Sequence, residues 1–139
     1  MIDHAIYSKT SGNAGITALI STRLYRDRAP NNIEFPFVVM IKGPNNPDHN
    51  LAGPNGLADT SFTFLIFAES RATTLTISEA IRNCWDGYRG TVSSIVIRRT
   101  ELESEEPDVL DRDGMEAPVF TIEQVYKFVY ELTAATLST

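Results

Sequence analysis

Nucleophilic, acid–base or metal chemistry in this sequence would have to come from His4, His49, Cys84 and the carboxylates between Glu103 and Glu116. A catalytic nucleophile needs a base beside it. Both histidines fall in segments that read as exposed or irregular, so each is expected to be an ordinary surface residue. Cys84 lies on the apolar side of a helical repeat, next to Trp85, which predicts a packed and unreactive thiol. One cysteine and two distant histidines cannot supply a tetrahedral zinc set. Asp111-Arg112-Asp113-Gly114 hints at a calcium loop, but that motif wants an acid at 109 and a glutamate at 120, where Val109 and Phe120 stand. Gly53-Pro54-Asn55-Gly56 fits neither dinucleotide-binding nor phosphate-loop spacing. The acidic residues at 103, 105, 106, 108, 111, 113 and 116 read as a solvated charge run with nothing to perturb them. No catalytic residue, cofactor site or metal ligand is therefore assigned, no cofactor is expected, and the chain is not expected to be an enzyme.

Composition points the same way. The 139 residues suit one domain spanning 1–139, and 42% hydrophobic with 22% charged residues is a globular composition. Asp and Glu outnumber Lys and Arg by 18 to 12, a net charge of -6, whereas a nucleic-acid grip needs a basic face. Arg23, Arg26 and Arg28 make a short basic stripe, which a charged edge strand explains as well as a partner-binding patch does. Met1 to Thr10 carries charge where a signal peptide needs an apolar run. The nearly uncharged stretch at Phe62 to Ala68 is too short to span a membrane. A lone cysteine fits a reducing compartment, so a soluble protein made in the cytoplasm is expected.

The elements that must position these residues follow from periodicity. Ile2 to Lys9 and Ala14 to Ser21 read as short helices separated by Thr10-Ser11-Gly12-Asn13, with Ile16, Leu19 and Ile20 on one side of the second. Arg23 to Arg28 reads as an edge strand. Phe35 to Lys42 reads as a strand with Phe37, Val39 and Ile41 sharing a face, and Ser61 to Ala68 as a central or doubly covered one. Thr74 to Tyr88 shifts to helical spacing, with Ile77, Ile81, Cys84, Trp85 and Tyr88 together. Val92 to Leu102 and Val119 to Glu131 return to alternation. The prediction is an α+β domain with a mostly antiparallel sheet of about five strands flanked by helices. Two long connections are expected, Gly43 to Leu57 with three prolines and three glycines, and the acidic Glu103 to Pro118 as a mobile arm.

Four stretches in order carry a resemblance: Ile16-Thr-Ala-Leu-Ile-Ser-Thr-Arg-Leu-Tyr; Phe35-Pro-Phe-Val-Val-Met; Asp48-His-Asn-Leu-Ala-Gly-Pro-Asn-Gly-Leu-Ala; and Ser61 to Ala68 with the helix to Trp85. This order resembles the small tail-completion and tail-terminator proteins of long-tailed phages and prophages, similar in fold to the tail terminator of phage lambda. The resemblance implies a homo-hexameric ring that caps the tail tube, stops its polymerisation and offers a surface to the neck or head. DNA would pass through the ring without specific binding. Assembly in the host cytoplasm and residence in the virion tail are implied too. A head–tail joining component is the neighbouring alternative, and a small ligand-binding or enzymatic α+β domain the distant one. If the chain does form such a ring, Pro44, Asn45, Asn46, Asp48, His49 and Asn50 are expected at one ring face. Glu105, Glu106 and Asp108 are expected at another contact or the lumen, and Arg26 and Arg28 at a contact edge.

Overall fold

Two caps decide where the helices begin. Asn13 Oδ1 accepts from the Ile16 backbone N–H at 3.1 Å, so α1 (Ile2–Ser11) stops and α2 (Ala14–Ile20) starts anew. Ser70 Oγ accepts from Thr73 N at 3.2 Å, which opens α3 at Arg71 and carries it to Trp85. The spacing alone placed that start at Thr74; the serine cap offsets the threonine-rich first turn. The computed structural model describes residues 2–30, 33–47, 57–110 and 118–131, with the backbone alone for 44–47 and 57.

The strands are β1 (Leu24–Arg26), β2 (Phe37–Pro47), β3 (Leu57–Ala68), β4 (Gly90–Val92), β5 (Ile95–Leu110) and β6 (Val119–Glu131). They form one sheet in the order β1-β2-β3-β6-β5-β4. β1 runs parallel to β2, and every other pairing is antiparallel. The α+β architecture is as expected, with six strands in place of five and a mixed sheet.

Three differences from expectation have physical causes. Val92 to Leu102 is not one strand, because Ser93 and Ser94 both take positive φ (48° and 69°) and fold a tight hairpin between β4 and β5. The acidic stretch after Leu102 is not an arm up to Leu110. β6 pairs along it as far as Leu110↔Val119, so Glu105, Glu106 and Asp108 lie on a sixteen-residue strand. Lastly, β2 continues through a bulge at Gly43 and Pro44, after which Asn45 to Pro47 lie opposite Thr60 to Ala58 of β3. That shortens the first long connection at both ends.

All three described helices pack on one face of the sheet. Ile2, Ala5 and Ile6 of α1, Ile16 and Ile20 of α2, and Ile77, Ile81, Cys84 and Trp85 of α3 join Val38, Met40, Phe62, Phe64, Ile66, Ile122, Tyr126 and Phe128 in one core. Each large apolar side chain buried there contributes about 1.5–3 kcal/mol. Trp85 is central: its ring meets Phe128 edge-on at 5.1 Å, and its Nε1 donates to Thr10 Oγ1 at 2.8 Å. Val39, Phe37 and Ile41 share a face as expected, but that face is the one turned away from the helices.

Candidate functional site

The described residues offer no constellation of the kind nucleophilic chemistry requires. His4 is exposed on α1, and His49 lies outside the described residues. Cys84 is buried, and burial pushes its thiol up from the ordinary cysteine value against a smaller opposing pull from Lys9. A thiol raised in this way is a poor nucleophile. Among the described residues no group of three or more His, Cys, Asp or Glu is placed to hold a metal ion. No described helix is long and apolar enough to cross a membrane. A hollow of about 240 Å³ between α1, α2 and β1 is lined by Tyr7, Ser11, Ile16, Thr17, Ile20 and Leu24 among others, without a charged group.

The surfaces that remain belong to the sheet. Its open face carries a row of aromatic rings: Phe37 stacks on Phe67 at 4.7 Å, with Tyr25 and Phe35 at 6.3 and 5.4 Å from Phe37. Leu65, Phe67, Leu110 and Thr121 then line a shallow hollow of about 290 Å³ whose rim holds Glu106, Asp108 and Glu123. The apolar floor and acidic rim come from alternate residues of β3, β6 and β5.

Those of the expected contact residues that are described are distributed over the sheet. Glu105 points to the helix side, where Gln124 Nε2 donates to it at 3.0 Å and Arg82 stands 3.7 Å away. Glu106 and Asp108 point to the open side, opposite Glu123 and Thr121. Arg26 and Arg28 sit exposed at the other margin, Arg26 with its guanidinium 4.1 Å from the Tyr7 ring centroid. Pro44, Asn45 and Asn46 belong to β2 by backbone, their side chains outside the described part. Asp48, His49 and Asn50 lie outside the described residues altogether.

Sequence reading missed two organising residues. Gln124 is fully buried and links Ser78 O (3.0 Å), Glu105 and Tyr126 Oη (3.3 Å), joining α3 to β5 and β6. Arg71 forks from the start of α3 to Asp108 O at 2.7 Å and Thr121 O at 2.9 Å, with Phe120 beneath it. A polar residue at a core-face position of an alternating strand was the available signal for Gln124. Arg71 gave none, since its partners are backbone carbonyls distant in sequence.

No family model matches the chain, and no curated protein does. Among solved structures, a chain in the virion of the native gene transfer agent (GTA) particle is similar. The TM-score is 0.71 at 18% sequence identity, over 94% of this chain and 95% of that one. The likeness establishes a shared fold across nearly the full length of both.

Proposed function

We propose that this chain is a structural subunit of a virion, and specifically a ring subunit that caps the tail tube and presents a joining surface to the neck. The observation that carries the reading is the fold, shared end to end with a chain of a GTA virion. The ordered stretches from Ile16 to Tyr88 that resemble tail-terminator proteins support the finer role. The chain acts by geometry and not by catalysis: one face of the ring imitates the next layer of tube, and the other lacks what a further layer would need. Its partners are other copies of itself, the tube protein and a neck protein. DNA passes through without specific contacts, which the net charge of -6 favours.

Light scattering of the purified protein, followed by negative-stain imaging with and without tail tubes, tests this. Rings in solution, or monomers that become a terminal ring on tubes without heads, are expected. Binding only after heads are added would move the role to head–tail joining. A monomer indifferent to both would overturn the proposal.

A further inference from the structure

We infer that protomers meet edge to edge, the outer edge of β5 on one copy docking against the β1 and distal β2 margin of the next. The inference rests on the ring reading above and says which surfaces close the ring.

β4 covers β5 only at Ile95 to Ile97, and Gly87 N donates to Thr100 O just beyond. From Glu101 to Leu110 no described strand lies on the outer side of β5. Ten residues of strand present about 33 Å of backbone edge. That stretch carries Glu101, Glu103, Glu105, Glu106 and Asp108 and no basic residue. Glu101 and Glu105 face Arg99 and Arg82, while Glu103 and Glu106 have no ion-pair partner among the described residues. At its end Val109 and Leu110 are 44% and 46% exposed, which is apolar surface left for a partner to cover. The opposite margin of the sheet carries exposed cations: Arg26 ends β1 and Arg28 follows it, with Asp27 between them, and Lys42 stands exposed where β2 runs on beyond β1.

Charge then selects the partner. Two β5 edges repel one another, as do two β1 margins, so a two-fold dimer through either is disfavoured. An acidic edge against a basic margin attracts, and such a head-to-tail contact closes into a ring when the rotation permits. Pro107 has no N–H to offer a ladder.

The test is a charge exchange in the full chain. Glu103→Lys/Glu106→Lys and Arg28→Glu/Lys42→Glu are made separately, with sedimentation and negative-stain imaging, on tail tubes if the free protein is monomeric, as the readouts. Each variant alone should assemble at least about tenfold more weakly than the parent. Mixing the two should restore rings, because alternating copies then match at every joint. A merely misfolded variant would not be rescued by mixing, and circular dichroism melts report folding independently. Parent rings that persist unchanged in both variants would overturn the inference and leave the ring reading standing. Intact variant rings that retain DNA would overturn it too, assigning the acids to the lumen. A parent that forms rings neither alone nor on tubes overturns both.

Discussion

Trp85 and Thr10 are seventy-five residues apart and share a buried hydrogen bond that pins α3 to α1. Thr10 Oγ1 in turn donates to Ile6 O at 2.7 Å, so the hydroxyl serves both helices. Thr10→Val keeps the shape and removes both links, leaving the indole N–H buried without an acceptor. A loss of about 1–3 kcal/mol is expected in urea denaturation; an unchanged midpoint and slope would show that the pair is incidental. Tyr126 sits in the same core. Burial above all, with the carboxylates of Asp86 and Glu105 adding to it, pushes its hydroxyl far above the ordinary tyrosine value. The folded chain therefore holds this proton more tightly than the unfolded chain does. The resulting stability is complete below pH ~10, the unfolded value, and is lost as pH rises past it. Tyr126→Phe should flatten that alkaline fall in thermal melts, and a parallel fall in both proteins would assign it elsewhere.

At the scale of elements, Arg71 ties the first turn of α3 to the far end of the β5–β6 ribbon. Its planar fork meets two carbonyls at once, which a lysine cannot reproduce. In Arg71→Lys, amide exchange over 105–110 should quicken several-fold while the β3–β6 centre keeps its protection. Uniform loosening would mean that Arg71 supports the whole core. The legible elements were those whose period a single covered face imposes: α3, and β6 from Val119 to Glu131. Others obeyed signals that composition obscures. The Ser93-Ser94 turn lacks the Asn-Gly pair that announces a type I′ hairpin. Gly43 looked like loop punctuation, yet a Cβ there would collide with Ser61 Oγ and come within 3.0 Å of Ser61 O, so the glycine lets β2 and β3 approach. β5 was obscured by its acids, because a strand exposed along one edge tolerates charge that a covered strand would not.

Across the whole molecule, the Glu101 to Leu110 half of β5 is acidic, while Arg26, Arg28 and Lys42 stand exposed at the other margin of the sheet. The basic margin is too small to neutralise a run of phosphates, and the net charge of -6 opposes it. Duplex DNA at low ionic strength should therefore pass unshifted in a gel with the purified chain. A salt-sensitive complex would contradict a bystander role for DNA. Residue types alone gave no reason to expect a catalytic cluster, and they gave no view of the candidate contact surfaces. They arise from register, which brings Glu106 of β5 opposite Glu123 of β6 and sets the Phe37 and Phe67 rings side by side.

The last of the described strands in chain order is not at an edge of the sheet. β6 lies between β3 and β5, pairing Leu57 with Glu131 on one side and Leu110 with Val119 on the other. Until residues beyond Val119 have left the ribosome, β3 and β5 have no neighbour to join them, and the sheet exists as two separate halves. The two halves therefore join in one step, when β6 enters between β3 and β5, and a chain cut before Val119 has no strand to hold them together.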